Sequence, residues 1–487
     1  MTKSNMNQGI HILSCVLILT CAASSQERVS KPPISKEQQK RTYPIVDTGQ
    51  ERCYGNTKEI VYPKRGQPFY GQDAQYEGSK PTYKDNGNGT ITDLQTGLMW
   101  QKRPDFVTRS WENAGKYAKS LKLAAYDDWR LPTIKELFSI ADFRGNIRTR
   151  TPYIDTKYFD FQYPDTSTGA RNIDAQYWSS NLYIGTTMRG DRSTFGFNFA
   201  DGRIKSYPIS FGGGLRRRPE LRRLRKYVRC VRGSAYGKNN FVDNGDGTVT
   251  DRATGLMWMK ADSGKTMNWE QALEHAESLE YAGYDDWRLP NVKELQSIVD
   301  YSRAPDARSA SARGPAINPI FDLTDKESWF WTGTTHIENR FGYYVCFGQA
   351  FSARKWNGKP MNAHGAGAVR SDPKTGDPSK WANGLGPQSD EIRILNYVRC
   401  VRGGAAKLRT VPPASARPTV VRETTATNSR GRRFIERLDT NGDGKVSQSE
   451  FDGPAHHFRK LDRYGDGFLS QDETPQGPPS GREQRPG

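Results

Sequence analysis

Near the carboxyl end, Asp439, Asn441, Asp443, Lys445, Ser447 and Glu450 take alternate places, then the last place, of one short stretch, with Gly444 at its middle. Ca²⁺ is a hard cation that takes roughly six to eight oxygens, and this spacing lets a single loop wrap it. Asp439, Asn441 and Asp443 bring side-chain oxygens, Lys445 its backbone carbonyl, Ser447 a contact through water and Glu450 two oxygens, while Gly444 allows the sharp bend. The stretch reads as an EF-hand loop. A second follows at 462–473, where Asp462, Asp466, Gly467 and Glu473 keep their places, Phe468 offers a carbonyl and Ser470 the ninth position. Tyr464 stands where the third oxygen belongs, so weaker binding is expected there. The short helix expected between the loops is interrupted by Gly453 and Pro454.

Other charged groups look chemical at first sight. Tyr126-Asp127-Asp128-Trp129-Arg130-Leu131-Pro132 recurs as Tyr284-Asp285-Asp286-Trp287-Arg288-Leu289-Pro290. A structural role is favoured: a turn whose Asp and Arg satisfy backbone groups while the tryptophan enters a core. The Asp-Asn-Gly-x-Gly-Thr turns at Asp85 and Asp243 place Gly where calcium would need oxygens, so they read as β-hairpins. The histidines after the leader (His275, His336, His364, His456, His457) show neither metal nor triad spacing. No catalytic residue is assigned, and no enzymatic activity is expected.

The elements that must carry these motifs come in duplicate. Asp85 and Asp243, Trp100 and Trp258, Trp111 and Trp269, Trp129 and Trp287, and Glu136 and Glu294 all stand 158 positions apart. That spacing is far longer than a solenoid repeat and means two copies of one globular domain. In each, Ser110 or Asn268 caps a first helix, with Gln271 completing a capping box in copy two. Thr133 with Glu136, and Asn291 with Glu294, start a second helix after the proline. Aromatic strands follow, closing on Tyr-Val-Arg-Cys-Val-Arg-Gly at Tyr227 and Tyr397. Helices followed by short antiparallel strands predict an α+β fold. The domains read as 83–233 and 241–403, after an N-terminal extension at 26–82 and before a disordered linker at 404–431, the calcium module at 432–474 and a disordered tail at 475–487. In copy two the Gly- and Pro-rich segment 360–388 is expected to be a long surface loop.

Residues 1–25 read as a secretory signal, with Lys3 before an apolar run and Ala22, Ala23, Ser24 and Ser25 at the cleavage region. Cys21 offers an alternative as a lipid anchor, and no other stretch is apolar enough to span a membrane. Secretion, the periplasm or the cell surface follows as the location. Outside the signal, Cys53, Cys230, Cys346 and Cys400 remain, which suits structural disulfides in an oxidising compartment. Three pairings are open; Cys346 with Cys400 is favoured, leaving Cys53 with Cys230.

The motifs from Tyr83 to Gly233 and from Phe241 to Gly403 resemble the Lcl C-terminal domain family. The carriers are Asp-Asn-Gly-x-Gly-Thr-x-Thr-Asp, Thr-Gly-Leu-Met-Trp, Asp-Asp-Trp-Arg-Leu-Pro and Tyr-Val-Arg-Cys-Val-Arg-Gly. The resemblance implies two tandem C-type-lectin-like domains, joined here to a small α-helical EF-hand pair, and an adhesin-like role toward sulfated polysaccharides. Neither copy has the Glu-Pro-Asn, Gln-Pro-Asp or Trp-Asn-Asp triplets that hold calcium against a sugar, so calcium-dependent sugar binding is not implied. The calcium loops are similar to compact paired EF-hands of secreted bacterial proteins.

The chain carries a net charge of +18. Arg216, Arg217, Arg218, Arg222, Arg223, Arg225, Lys226, Arg229 and Arg232 crowd one stretch opposed only by Glu220, and copy two has no counterpart. For an exported protein this suggests an anionic or sulfated polysaccharide as partner, docked on Arg216 through Lys226, and not nucleic acid. Two other readings stand beside this one: an oxidase resembling formylglycine-generating enzymes, to which Arg130 to Thr133 is also similar, and a structural envelope protein without a small ligand.

Overall fold

The computed structural model describes residues 41–211, 224–336, 340–409, 413, 429–441, 444–462, 467–469 and 473. The signal, the Cys21 anchor site, most of the linker and the tail lie outside them. The extension contributes β1 (Cys53–Tyr54), β2 (Glu59–Ile60) and β3 (Tyr76–Glu77). Copy one contains β4 (Tyr83–Asp85), β5 (Thr90–Asp93), β6 (Met99–Gln101), α1 (Trp111–Ser120), α2 (Ile134–Ser139), β7 (Gln176–Leu182), β8 (Arg192–Asn198), β9 (Arg203–Ser210) and β10 (Val231–Arg232). Copy two repeats the order with β11 (Phe241–Asp243), β12 (Thr248–Asp251), β13 (Leu256–Met259), α3 (Trp269–Glu277), α4 (Val292–Ser297), β14 (Trp329–His336), β15 (Phe341–Cys346), β16 (Phe351–Trp356), β17 (Lys359–Asn362), β18 (Val369–Pro373) and β19 (Val401–Gly403). β20 (Lys407–Leu408) ends this part, and α5 (Ser429–Leu438), β21 (Val446–Ser447), α6 (Ala455–Leu461) and β22 (Phe468–Leu469) follow. The chain is mostly β with few helices, in keeping with an α+β class.

Local signals set the elements. Ser110 and Asn268 accept from the third amide of α1 and α3, and capping boxes close the starts of α2, α3 and α4. At the hairpin turns, Asn86 and Asn244 side chains donate to Thr90 and Thr92, and to Thr248 and Thr250, at 2.8–2.9 Å. Gly87, Gly89, Gly245 and Gly247 take the left-handed backbone those turns require.

The two copies share one sheet. Its order is β14-β15-β18-β9-β8-β7, and Val369 of copy two pairs with Ile204 of copy one. A single apolar core runs beneath it, from Ile91, Trp100 and Phe138 to Trp258, Leu295 and Val369. Satellite clusters repeat on either side, around Trp129, Trp178 and Cys230 and around Trp287, Trp331 and Cys400.

A reciprocal contact crosses the junction. Lys135 of α2 donates to the Ser297 carbonyl (2.7 Å), and its counterpart Lys293 of α4 donates to the Ser139 carbonyl (3.0 Å). Each residue meets the equivalent of its own partner, the pattern of an isologous interface built within one chain. Burial lowers both ammonium groups to about 8. The extension completes this joint. Lys293 also donates to the Asp47 carbonyl (3.0 Å), and Gln50 exchanges hydrogen bonds with the Thr335 backbone, donating to its carbonyl at 2.6 Å and accepting at 3.0 Å. Asp73 accepts from the hydroxyls of Thr48 (2.8 Å) and Thr334 (2.7 Å).

Two expectations are corrected. Segment 360–388 is a surface loop only in its second half, where 375–388 are exposed or half-buried: Ala363, His364, Ala366 and Ala368 are buried, and β18 is buried throughout. Small residues there let a strand slot between the copies. The inserted length lies earlier, at 347–368, where copy one closes the same turn with 199–202. Residues 404–409 are not a free linker either; β20 pairs with β3, Lys407 opposite Glu77 and Leu408 opposite Tyr76.

Folding raises Asp73 from the usual 3.8 to about 7, first through burial and then through the nearby Asp47 charge. The folded protein therefore holds a proton that the unfolded chain releases over that window, and this residue's contribution to stability falls as pH rises from about 4 to about 7. In urea titrations Asp73→Asn should gain stability relative to wild type across that window, and a pH-independent difference would contradict the assignment.

Candidate functional site

The terminal segment brings its two loops side by side. Ile435, Leu438, Val446, Phe458 and Leu469 form a small core, flanked by Phe434, Phe451 and Leu461. Val446 pairs with Leu469 and Ser447 with Phe468, a two-stranded sheet that ties loop to loop. Gly444 and Gly467 both adopt positive φ, and their amides donate to Asp439 (2.7 Å) and Asp462 (3.1 Å). Gly453 and Pro454 precede α6 instead of interrupting it, because proline suits the start of a helix.

Glu450 is the most constrained acid of this segment. One carboxylate oxygen accepts from the Thr440 amide and hydroxyl and the Asn441 amide, and the other accepts from the Ser447 amide (2.8 Å) and hydroxyl (2.7 Å). The Ser447 bonds lead in pulling its pKa down to about 2, so the group stays ionised. Asp439, Asn441, Lys445, Ser447 and Glu450 thus share one turn of chain, and Asp462, Phe468 and Glu473 belong to the second. Asp443, Asp466 and Ser470 lie outside the described residues. Among the described residues no group of three His, Cys, Asp or Glu side chains is placed to hold a metal. Oxygen donors without competing thiols or imidazoles in the first loop suit a hard cation.

The charged motifs of the copies satisfy one another. Arg130 and Arg288 form paired bonds with Glu136 (2.7 Å) and Glu294 (2.6 Å), the same glutamates that close the capping boxes. Asp128 and Asp286 receive Arg232 (2.6 Å) and Arg402 (2.5 Å). Trp129 and Trp287 are buried, as expected, yet the Asp and Arg groups meet side chains more than backbone. Arg229 is fully buried and donates to the carbonyls of Gln101, Lys102 and Asp160; Arg399 repeats this with Met259, Lys260 and Asp322.

The expected disulfides are absent. Cys53, Cys230, Cys346 and Cys400 are all free and buried. Cys230 sits in the copy-one cluster, whereas Cys53 senses Lys374 of copy two, so these two occupy different surroundings. Cys346 and Cys400 share the copy-two cluster but belong to different sheets, one ending β15 and the other preceding β19. Burial pushes the thiols of Cys53, Cys230 and Cys400 up to about 12, the direction opposite to a reactive nucleophile.

The basic stretch divides. Arg216, Arg217, Arg218, Arg222 and Arg223 lie outside the described residues. Arg225 is exposed and donates to the Thr108 carbonyl (2.5 Å). Lys226 is not available to a polyanion: it is buried, its ammonium 5.1 Å from the Tyr207 ring centroid. Burial likewise removes Arg229, and Arg232 is committed to Asp128. Residues 226–231 are buried throughout as the chain enters β10, so cations adjacent in sequence do not share a surface.

Sequence reading overlooked the β16–β17 hairpin, although Asn357-Gly358 between Trp356 and Lys359 is a hairpin turn signal. No helix among the described residues is long and apolar enough to cross a membrane. Compared with known families, residues 89–232 and 247–367 match the model described as the Lcl C-terminal domain. No curated protein and no solved structure matches.

A thiol reagent should label none of Cys53, Cys230, Cys346 and Cys400 in the native chain and all four in denaturant without reductant. Silence after unfolding would mean that they are oxidised.

Proposed function

The chain belongs to the Lcl C-terminal domain family, and on that premise we propose an exported, calcium-binding protein of the cell surface or secreted space that holds an anionic polysaccharide, adhesin-like, and leaves it unchanged. The observation that carries this reading is the pairing of two Asp-started loops through β21 and β22, with Glu450 held over the first. We read the segment as an EF-hand pair in which Asp439, Asn441, Asp443, Lys445, Ser447 and Glu450 would hold one Ca²⁺ and Asp462, Asp466, Phe468, Ser470 and Glu473 a weaker second. Bound calcium supplies a fixed positive centre that neutralises the loop acids and stiffens the module; it takes no part in chemistry here.

Two observations favour binding over the oxidase reading: the buried thiols are raised in pKa, and the charged motifs of both copies are engaged in holding strands and helices together. The order of helices and strands in each copy agrees with a C-type-lectin-like fold. Export through residues 1–25, with cleavage or with an anchor at Cys21, places the protein where calcium is plentiful. The exposed Arg225 and the five arginines before it supply the polyanion surface; nucleic acid is not the expected partner.

Calcium should bind the full chain with a Kd of roughly 10⁻⁴ to 10⁻³ M. Glu450→Gln should weaken the tighter site in equilibrium dialysis, and an unchanged isotherm would remove the calcium reading. Replacing Arg216, Arg217, Arg218, Arg222 and Arg223 with Ser should abolish salt-sensitive retention on heparin, and full retention would remove that surface as the ligand contact.

A further inference from the structure

A cleft of about 330 Å³ lies where the copy-two insertion meets copy one, lined among others by Thr186, Gln349, Trp356, Asn357 and Lys359. That is the lower end of the roughly 300–1,000 Å³ usual for small-molecule sites. Its position follows from the insertion. Residues 347–368 replace the tight turn of copy one and fold back as the β16–β17 hairpin, with Asn357 and Gly358 both at positive φ and Trp356 paired across from Lys359. A two-residue turn of this type holds its flanking side chains in register.

The floor of the cleft is closed by hydrogen bonds across the seam. Asp306 accepts from the Tyr183 hydroxyl (2.5 Å) and the Thr186 amide (2.9 Å), and Asn362 donates to Tyr183 (2.9 Å) and to the Thr186 carbonyl (3.1 Å). The rim differs. Trp356 is 43% exposed, an unusual state for a tryptophan in a chain whose largest fully buried side chains are mostly tryptophans. Arg189 from copy one stacks on its ring, 3.9 Å from the centroid. Arg354, Lys355 and Lys359 stand on the same hairpin, which carries no acid, and none of these four cations pairs with a carboxylate among the described residues. The side-chain amides of Gln349 and Asn357 add donors and acceptors at the wall.

We propose that this cleft binds a pyranose ring carrying a negative substituent, a carboxylate or a sulfate, at a site separate from the Arg216–Arg225 stretch. The C–H face of a sugar ring stacks on an aromatic plane, amides serve hydroxyls that both donate and accept, and Lys359 in the lining with Arg189 beside Trp356 selects the charged sugar, the Asp306 carboxylate of the lining being engaged by Tyr183 and Thr186. A single tryptophan among cations also suits an anionic lipid surface, but here the ring lines a concavity with amide walls, which favours a discrete ring-shaped ligand. The assignment shares its ligand class with the proposed function and uses different residues.

The test is calorimetric titration of the full chain with a sulfated hexasaccharide from heparin, a carboxylated hexasaccharide from hyaluronan and neutral maltohexaose. Trp356→Ala should weaken binding of at least one charged probe by roughly tenfold or more. Trp356→Phe should retain most of it, Lys359→Ser should erode the preference over maltohexaose, and the five-arginine Ser variant should keep a component that depends on Trp356. Unchanged affinity in Trp356→Ala overturns the site. If the five-arginine variant alone loses binding, the site is overturned while the polysaccharide reading survives; if no charged probe binds wild type, both fall. Trp356-dependent binding to phosphatidylglycerol vesicles without saccharide binding also overturns it, in favour of a lipid contact.

Discussion

Two interior lysines organise this molecule, Lys293 buried and Lys135 half-buried. Lys135 and Lys293 occupy equivalent places in α2 and α4, and each reaches across to the carbonyl that ends the other's helix. An ammonium group in an apolar interior is costly unless its donors are met. Those carbonyls, with the Asp47 carbonyl for Lys293 and the Gly237 carbonyl and Asn239 side chain for Lys135, meet them. The same exchange joins the copies at their helices, as the pairing of Val369 with Ile204 joins them at β18 and β9. Duplication thus produced an interface resembling that of a symmetric dimer, with the partner supplied by the same chain.

Asymmetry was then added on that symmetric frame. The extension threads through the joint by way of Asp47, Gln50 and Asp73, and β3 is held by β20 from the far end of copy two. Only copy two carries the inserted hairpin, and only copy one carries the arginine-rich stretch before its final strand. Both differences add cations to one copy alone, while the shared motifs are committed to structure. The differences between the copies therefore sit in the connections between strands of the same order, where added residues do not disturb the core.

Much of the architecture was legible in residue order. Capping residues such as Thr133, Asn268 and Asn291 act on amides within a few positions, and the Asp-Asn-Gly turns specify their own hairpins, so both could be read directly. Failures came where distant contacts decide. Lys135 and Lys293 look like ordinary helix-surface residues until the opposite copy covers them, and Lys226 and Arg229 look like part of a basic patch until the chain entering β10 is covered on both sides. Segment 360–388 has the composition of a loop and is one at 375–388, yet Gly365 and Gly367 are small because the chain there passes tightly against Tyr183 and Tyr301 before entering the shared sheet. An even number of cysteines suggested bridges, but buried free thiols pack as small apolar groups and leave the same count. The two terminal loops were readable because every ligand proposed for them comes from one short stretch, whereas the seam cleft draws on both copies and has no linear signature.

The central claim is that the two copies and the extension fold as one unit through the reciprocal lysines. The most direct measurement is scanning calorimetry of the full chain with and without Lys135→Met, following tryptophan and amide-exchange signals from both copies. The account predicts one transition for residues 41–409, lowered as a whole, with copy-two amides losing protection alongside those of copy one. A split into two transitions, with copy two unmoved by a change in copy one, would contradict it.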